Sequence, residues 1–381
     1  MEVSEPVPEE TPRITYCGNV HPAVDLDSWF ESIERFAVPI AAARGADGKQ
    51  FGFGAWWNAA TLADLNENPD QIQRLQDFMV ECGIPLWTVN AFPYGEFHET
   101  VVKTSVYQPN WEDEARVLFT RHAAEVIGRI ATPGSVVPVS TLPLGYGSGD
   151  MRLMARNLVR AASHLYSMAE YHGVQIVLAL EPEPFCLLET VAQTIEFLEE
   201  WVFRAEGWAV PEAVLRRHLG VCVDLCHMAV VREDAVAAVA SLATHEIQCA
   251  KIQVSACPEL RDPAGALDQL LAFDEPVYLH QTVADTGPRA LDLSEVAAQR
   301  TEFEAAGSIR THFHTPIFWD SEAALGSTRA ELERVIRALP RPLPLLEVET
   351  YTWDVLPGLI RGDEHLRDGI GKELRFLDDL L

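Results

Sequence analysis

The stretch VQIVLALEPEP, residues 174–184, is a short apolar run that ends in two glutamates. Residues 219–228, LGVCVDLCHM, follow the same plan, with an aspartate and a histidine after the apolar run. Continuous apolar runs of this length are typical of strands in parallel sheets, which are buried on both faces. The two stretches therefore predict parallel strands with reactive side chains at their carboxyl ends.

The rest of the chain repeats this rhythm. Six further apolar runs cover residues 13–22, 49–58, 85–95, 135–147, 250–256 and 343–353. Amphipathic stretches of helical periodicity lie between the runs, the clearest at 25–44, 68–83, 151–173 and 191–205. Alternating strands and helices imply a parallel sheet, and eight such units close most economically into a (β/α)₈ TIM barrel. An open doubly wound sheet is the competing architecture, but no G-x-G-x-x-G motif follows the first strand.

The interval between the seventh and eighth runs is longer than the others. It contains two additional short runs, PVYLHQTVAD at 276–285 and SIRTHFHTPIF at 308–318. We expect the first to form an edge hairpin or a loop, and the second to end a long excursion at the rim of the barrel. No proline- or glycine-rich linker marks a second domain. Residues 13–381 are therefore predicted to form one TIM-barrel domain after a disordered lead at 1–12.

The composition restricts the partners of the chain. It carries 29 lysines and arginines against 57 aspartates and glutamates, a net charge of −28, which excludes a nucleic-acid partner because it repels phosphate backbones. No apolar run reaches the ~18 residues of a membrane span, and the amino terminus resembles no secretory or transit signal. We therefore expect a soluble cytoplasmic protein that binds a small molecule, with its seven cysteines reduced. A homodimer is the assembly expected of an acidic barrel of this kind.

The strand ends predict a metal centre. In a TIM barrel the carboxyl ends of the strands meet at one mouth, and period-two alternation decides which side chains face inward. Carboxylate and amide oxygens there suit a divalent ion such as Zn²⁺, Mn²⁺ or Mg²⁺, without which several carboxylates could not stay ionised together. Glu181 and Glu349 are also candidate catalytic residues. The predicted strand-end ligands are Glu181, Asp224, Gln253 and Glu349.

Three histidines accompany these ligands. His227 comes three residues after Asp224, where it could bind the metal or serve as acid, base or substrate donor. His312 and His314 alternate in the segment THFHTP and point the same way if that segment is extended. They are predicted either to bind a second metal ion or to contact the substrate.

The first strands carry no carboxylate set. They offer aromatic rings and hydrogen-bonding groups instead, a lining that suits a polyol or sugar-like ligand. Tyr94 and His98 lie in a loop that could close over the ligand, whereas one residue of the pair Trp56 and Trp57 is expected to pack in the core. The predicted substrate-binding residues are Asn19, His21, Trp57, Asn90, Tyr94, His98, Tyr146, Lys251 and Glu347.

The order of these motifs resembles that of the xylose-isomerase-like TIM-barrel superfamily, which includes sugar isomerases, epimerases and nucleases of the endonuclease IV type. More narrowly, TYCGNVHP near the start and LEPEP, VDLCHMAV, THFHTPIF and ETYTW later resemble the metabolite traffic protein EboE family. That family belongs to a bacterial gene cluster tied to export or maturation of secondary metabolites. The motifs shared with the superfamily are LEPEP at 180–184, VDLCH at 223–227, KIQ at 251–253, HFH at 312–314 and LEVET at 346–350.

The resemblance implies that Glu181, Asp224 and Glu349 bind the metal and that His227 faces the substrate. One position departs from the superfamily pattern. The usual ligand of the seventh strand is histidine, whereas this chain has Gln253, whose amide oxygen is a weaker ligand than imidazole.

Four functions fit these residues. The leading hypothesis is a metal-dependent isomerase or epimerase of a small polyhydroxylated or carbonyl compound, in which Glu181 and Glu349 move a proton through an enediolate. Metal-assisted hydrolysis would instead use Asp224 and the three histidines. Lys251, which faces inward by parity, could form a Schiff base, although an ion pair with neighbouring carboxylates is the simpler interpretation. The fourth function is a carrier that binds a metabolite without chemistry.

Overall fold

Eight short strands form the centre of the molecule, one from each of the eight apolar runs. The computed structural model describes residues 12–98, 101–358 and 365–381, so the predicted lead at 1–12 lies outside the described residues apart from Pro12. Strands are numbered in chain order, and β8 to β12 belong to a second sheet. The barrel strands are β1 (Ile14–Tyr16), β2 (Phe53–Trp56), β3 (Leu86–Asn90), β4 (Val136–Thr141), β5 (Gln175–Leu180), β6 (Leu219–Asp224), β7 (Gln248–Val254) and β13 (Leu345–Val348).

The eight strands form a closed barrel. They pair in parallel in the order β1-β13-β7-β6-β5-β4-β3-β2, and a parallel bridge between Cys17 and Gly54 joins the two ends of this order. Glycine at position 54 permits the closure, because a Cβ atom there would lie 2.5 Å from the Tyr16 carbonyl oxygen. The predicted TIM barrel is confirmed, and the open doubly wound alternative is wrong.

Helices connect successive barrel strands and cover the outside of the barrel. The four stretches predicted to be helical are helical, and two of them include π-helical turns at Ile33–Ala37 and Leu198–Phe203. The α-helices are α1 (Leu26–Ser32), α2 (Val38–Ala46), α3 (Ala59–Glu67), α4 (Pro69–Cys82), α5 (Glu114–Ile130), α6 (Met151–His172), α7 (Val191–Phe197), α8 (Glu212–His218), α9 (Leu225–Val231), α10 (Ala235–Thr244), α11 (Leu267–Leu271), α12 (Leu293–Ala298), α13 (Arg300–Glu304), α14 (Arg329–Ala338) and α15 (Leu366–Leu380).

The long excursion between β7 and β13 forms a second, antiparallel sheet, which we call the insert sheet. Its strand order is β10-β9-β11-β8-β12. The run at 276–285 supplies β9, which forms the expected edge hairpin with β10. The run at 308–318 supplies β11, the central strand of this sheet, and it does not end the excursion as expected, because β12 and α14 follow it before β13. A bridge between Ala256 and Thr315 ties this sheet to the mouth of the barrel. Its strands are β8 (Pro258–Leu260), β9 (Thr282–Ala284), β10 (Arg289–Ala290), β11 (Ile309–Thr311) and β12 (Leu325–Ser327).

The barrel interior is packed, and polar side chains are part of the packing. Lys251 and Glu347 are fully buried, and Glu347 reaches across the barrel towards Gly54 on β2. All seven cysteines are free thiols. No helix in the described ranges combines the length and the apolar character that crossing a bilayer requires.

Candidate active site

Three carboxylates meet at the carboxyl ends of the barrel strands. Glu181 directly follows β5, Asp224 is the last residue of β6, and Glu349 directly follows β13. One oxygen of each lies within 4.8 Å of the other two, and all three side chains are buried. We call this set the carboxylate triad. The structure thus brings together the three acidic ligands that the strand ends predicted.

Two asparagines from the first strands hold Glu349. The side-chain amides of Asn19 and Asn90 donate hydrogen bonds to Glu349 Oε1 at 2.8 and 3.0 Å. The ring of His98 in turn holds Asn19, with Nε2 at 2.6 Å from the Asn19 carbonyl oxygen, while its Nδ1 lies 3.1 Å from the Tyr278 hydroxyl. Because both amides engage the same oxygen, they orient Glu349 and leave Oε2 for another partner.

Asp224 is likewise held through only one of its two carboxylate oxygens. Its Oδ1 accepts from the Ser255 hydroxyl at 2.9 Å and from the backbone N–H of His227 at 2.8 Å, the second bond being the N-cap of α9. Its Oδ2 is buried without a hydrogen-bond partner, as is Oε2 of Glu181. Buried carboxylate oxygens without partners are rare and costly, so these atoms point to a ligand or ion.

The triad lacks a neutralising charge of its own. Burial, followed by the Glu349 and Asp224 charges, raises the pKa of Glu181 well above its usual range. Burial, followed by the Asp224 and Glu347 charges, raises the pKa of Glu349 to about 8. A divalent cation among the free oxygens would reverse both effects, because it favours the ionised form of every ligand. The donor set fits a divalent ion.

Two histidines face each other beside the triad. Nδ1 of His227 lies 2.9 Å from the Pro182 carbonyl oxygen, and Nδ1 of His312 lies 2.7 Å from the Gln281 side-chain oxygen. Both contacts require a proton on Nδ1, so each neutral ring has a lone pair on Nε2. The two Nε2 atoms are 3.1 Å apart. A proton or a metal ion between them would satisfy both.

His314 supplies a nitrogen next to the triad. Its Nδ1 lies 2.7 Å from the Glu349 carbonyl oxygen, which fixes the ring. Its Nε2 has no hydrogen-bond partner and lies 3.8 Å from Asp224 Oδ2. Burial lowers the pKa of His314 to about 4, so the ring is neutral near pH 7 and its Nε2 can bind a metal ion.

A fourth carboxylate, Glu183, lies beside the facing histidines. Its Oε1 accepts from the Tyr107 hydroxyl at 2.6 Å and from the Gln281 side-chain amide at 3.0 Å. Ligand atoms of Glu183, His227 and His312 lie within 4.8 Å of one another. The hydrogen bonds through Gln281 therefore connect this carboxylate to the His312 ring.

Gln253 lies on β7, between β6 and β13, and is level with Asp224 of the triad. Its backbone is in register with Asp224 on one side and Glu347 on the other, and neither atom of its buried amide has a hydrogen-bond partner. Lys251 lies two residues deeper, where its Nζ contacts Glu347 Oε2 at 2.5 Å. Lys251 and Glu347, predicted to bind substrate, are thus engaged with each other inside the barrel.

The triad and the histidines open onto one cavity at the mouth of the barrel. Carboxylates, amides and imidazoles form part of its lining, and aromatic and aliphatic side chains form much of the rest. Asn19 and Asn90 are the predicted substrate-binding residues in this lining. The lining residues are Asn19, Asn90, Phe92, Pro93, Phe97, Val102, Lys103, Val106, Tyr107, Glu181, Glu183, His227, Tyr278, Leu279, His312, His314, Glu349 and Tyr351.

Two predicted substrate-binding residues of the first strands lie in other surroundings. The His21 ring stacks on Phe36 at 4.5 Å, and its Nε2 lies 3.0 Å from the Tyr16 hydroxyl. Trp57 is buried and packs against Trp29 at 5.3 Å. Both side chains support the outer layer of the barrel.

Two predicted tyrosines lie next to lining residues without belonging to the lining. Tyr94 packs against Phe119 at 5.1 Å, between barrel and helix layer. Tyr146 stacks on Tyr107 at 5.6 Å and so supports the ring that holds Glu183.

Glu183, Gln281 and Tyr107 were not predicted from the sequence. Glu183 carries a usable signal, because it lies two residues after Glu181 and alternation in an extended LEPEP segment directs both side chains the same way. Gln281 and Tyr107 carry none, since their segments enter the site only through the fold of the insert sheet and of the loop after β3.

The chain matches no protein-family model and no curated protein. Similar solved structures include a zinc-bound IolI protein, at 10% identity and a TM-score of 0.48, with 97% of each chain covered. A D-tagatose 3-epimerase-like protein has 14% identity and a TM-score of 0.47, covering 97% of this chain and 96% of its own. A D-allulose 3-epimerase from Methylomonas sp. has 12% identity and a TM-score of 0.45, with 98% of each chain covered.

Proposed function

We propose that this protein is a divalent-metal-dependent isomerase or epimerase of a small polyhydroxylated or carbonyl metabolite. The observation that carries the proposal is the carboxylate triad, whose buried oxygens converge within 4.8 Å and include two without hydrogen-bond partners. Such a set is stable as a group of anions only around a cation. Its place at the barrel mouth, beside a cavity lined by polar and aromatic side chains, suits chemistry on a small molecule.

The residues that would hold the ion are Glu181, Asp224 and Glu349, with His314 Nε2 as a nitrogen donor. When bound there, a divalent ion supplies polarisation of a carbonyl and a site for a neighbouring hydroxyl. Zn²⁺, Mn²⁺ and Mg²⁺ all accept oxygen ligands, and the nitrogen donor favours Zn²⁺ or Mn²⁺ over Mg²⁺.

The proton transfer is assigned to the triad itself. Isomerisation of a hydroxycarbonyl compound moves a proton between adjacent carbons, which requires a base that is also a usable acid near neutral pH. We assign this role to Glu181 and Glu349, because both carboxylates line the cavity beside the oxygens that would hold the ion. Asn19 and Asn90 keep Glu349 in one orientation during the transfer.

Metal content tests the first part of this proposal. Asp224→Asn removes a ligand charge but keeps an oxygen for the N-cap of α9, and Asp234→Asn makes the same change at the exposed N-cap of α10. We expect near-stoichiometric metal in the wild type and in Asp234→Asn, and a loss of most of it in Asp224→Asn. Equal metal content in the two variants would contradict the assignment.

Solvent exchange tests the reaction. Glu181→Gln keeps an oxygen towards the ion but removes the base, so at saturating added metal the deuterium incorporation from D₂O into α-hydroxyketone probes should fall by ~10²-fold or more. Metal content and thermal unfolding of the variant serve as controls for folding. Full exchange in Glu181→Gln would show that another group moves the proton.

Metal-assisted hydrolysis is a second candidate function. The facing Nε2 atoms of His227 and His312, together with Glu183, offer donors for a further ion beside the triad. A zinc-supplemented phosphodiesterase assay with bis(p-nitrophenyl) phosphate distinguishes hydrolysis from isomerisation. Activity that is lost in His312→Asn and kept in His245→Asn, at an exposed histidine, would favour hydrolysis over isomerisation.

The biological setting is proposed from the motif resemblance alone. The segments around Asn19, His227 and His314 resemble those of the metabolite traffic protein EboE family. We therefore propose that the reaction belongs to maturation or traffic of a secondary metabolite. Deletion of the gene followed by metabolite profiling tests this, because loss of one late product with accumulation of its isomer is the expected result.

A further inference from the structure

The cavity at the mouth of the barrel is lined by two kinds of side chain. One kind is polar and comprises the carboxylate triad and the histidines. The other, which we call the apolar wall, is formed by Phe92, Phe97, Val102, Val106, Leu279 and the ring of Tyr351, of which Phe97, Val102, Val106 and Tyr351 pack in one cluster. The Tyr351 hydroxyl lies 3.5 Å from His312 Nε2, where the two kinds of side chain meet. A sugar carries hydroxyls along its whole length, so the composition of the apolar wall bears directly on the substrate.

Two polar groups that border the apolar wall already have partners. The Tyr278 hydroxyl is 3.1 Å from His98 Nδ1. Lys103 Nζ donates to Asp292 Oδ2 at 2.7 Å and to the Glu275 carbonyl oxygen at 3.2 Å. Away from the Tyr351 hydroxyl, a ligand hydroxyl against this wall would lose its water and gain few partners, which costs free energy.

Charge argues against a phosphate group. Lys103 is the one cation among the described lining residues, and its ion pair with Asp292 occupies it. Asp292 is itself fixed by His280, whose Nδ1 lies 3.0 Å from its Oδ1. Apart from the ion proposed at the triad, a phosphate against the apolar wall would find no free cation among the described lining residues, in a chain of net charge −28.

The apolar wall is rigid enough to select a shape. The Phe97 ring is 5.1 Å from Tyr278 and 5.2 Å from Tyr351, and the two tyrosine rings are 4.9 Å apart. Trp56 packs behind Phe97 at 6.4 Å. Aromatic rings in such edge contacts present a fixed nonpolar surface to the cavity.

We infer that the substrate is an uncharged hydroxycarbonyl compound whose far end is nonpolar, such as an aryl or branched alkyl group, and not a free or phosphorylated sugar. This inference rests on the proposed function for the reacting end of the ligand. The hydroxycarbonyl end lies against Glu181, Glu349 and His314, and the nonpolar group lies against Phe97, Val106 and the other side chains of the apolar wall.

Three probes with the same hydroxyacetyl end test the inference. They are 1-hydroxy-4-phenylbutan-2-one, D-ribulose and D-ribulose 5-phosphate, each titrated by calorimetry into Mn²⁺-loaded protein. Burial of the phenyl group predicts that the aryl ketone binds at least about tenfold more tightly than D-ribulose, with the phosphate ester weakest. Tighter binding of either sugar, or no binding of any probe, would overturn the inference.

A matched pair of variants locates the effect. Val106→Thr places a hydroxyl in the apolar wall at nearly constant shape, and Val101→Thr makes the same change at a side chain that is 67% exposed. The preference for the aryl ketone should fall by roughly threefold or more in Val106→Thr and stay unchanged in Val101→Thr. An unchanged preference in Val106→Thr would count against the assignment of the wall.

A second readout separates this inference from the proposed function. Mass spectrometry of the same probes after incubation in D₂O reports proton exchange next to the carbonyl. Tight binding of the aryl ketone without exchange of any probe would refute the isomerase proposal and support the ligand class. Exchange of D-ribulose with weak binding of the aryl ketone would support the reaction and refute the ligand class.

Discussion

Lys251 and Glu347 form an ion pair inside the barrel, with Nζ and Oε2 2.5 Å apart and both side chains fully excluded from solvent. Burial acts to lower the pKa of Lys251, but the Glu347 carboxylate and further nearby acidic groups outweigh it and raise that pKa above its ordinary value. The amine is therefore charged. A Schiff base needs a neutral amine that faces the cavity, so this geometry favours the ion-pair interpretation of Lys251.

Removing one partner of this pair should destabilise the fold. Lys251→Met leaves Glu347 buried without its counter-ion, and we expect the free energy of unfolding to fall by about 3–5 kcal/mol in urea denaturation. The double variant Lys251→Met, Glu347→Leu removes both charges and should recover much of that loss. A double variant no more stable than Lys251→Met would show that the charges are not coupled.

Gly54 should be intolerant of a side chain. A Cβ atom there would lie 2.2 Å from Glu347 Oε1 and 2.5 Å from the Tyr16 carbonyl oxygen, neither of which is free to move. We expect Gly54→Ala to lower the free energy of unfolding by about 3 kcal/mol or more. Gly45→Ala, in α2 with no atom within 4 Å of the new Cβ, should be neutral or stabilising by up to ~1 kcal/mol. Similar stabilities for the two variants would contradict this account of barrel closure.

The part of the site that could be predicted from sequence is the part that depends on local alternation. Glu181, Asp224 and Glu349 lie at the ends of apolar runs, and the period of two with the barrel closure is enough to bring them together. The contact between His227 and His312 could not be predicted, because it depends on how the insert sheet folds back over the mouth.

The predicted ligand-binding residues that lie outside the cavity have a different explanation. Trp57 directly follows β2, where one residue of difference in the strand end decides between the inside of the barrel and the outer layer. His21 ends the 3-10 turn Gly18–Val20 after β1, so the alternation of a strand does not decide its direction. Their neighbours Asn19 and Trp56 lie on the inner side. Nothing in the local sequence distinguishes these alternatives, because both members of each pair could bind a ligand or fill the core.

Metal affinity should depend on pH in a defined direction. Because the pKa of Glu349 is raised to about 8, protons compete with the ion for this carboxylate, and the apparent affinity should rise with pH up to about 8 and level off above it. The hydrogen bond from Asn19 lowers this pKa, so Asn19→Ala should move the affinity curve to higher pH. Metal titration of the wild type and of Asn19→Ala at several pH values measures this shift.

Asn66→Ala is the matched control for that experiment, since the Asn66 amide donates to the Leu62 and His122 carbonyl oxygens, away from the site. It should leave the pH dependence of metal binding unchanged. A shift of the curve to lower pH in Asn19→Ala would contradict the assigned role of this asparagine.

Gln281 should contribute to stability because its side-chain amide donates to Glu183 and its side-chain oxygen accepts from His312. Gln281→Leu removes one of the two donors to Glu183 Oε1 and leaves His312 Nδ1 without its acceptor, and should cost about 1–3 kcal/mol in the free energy of unfolding. Gln269→Leu, at an exposed position of α11, is the control and should change little. Equal effects would show that the buried hydrogen bonds of Gln281 are not needed.

The two sheets divide the site between separate parts of the chain. The carboxylates come from barrel strands that also hold the fold together, whereas His312, His314, Tyr278 and Leu279 come from the insert between β7 and β13. Changes in the insert can therefore alter which molecule is accepted while the three carboxylates of the triad stay in place. A new specificity is accessible by exchanging one loop, whereas a new reaction would require rebuilding the barrel.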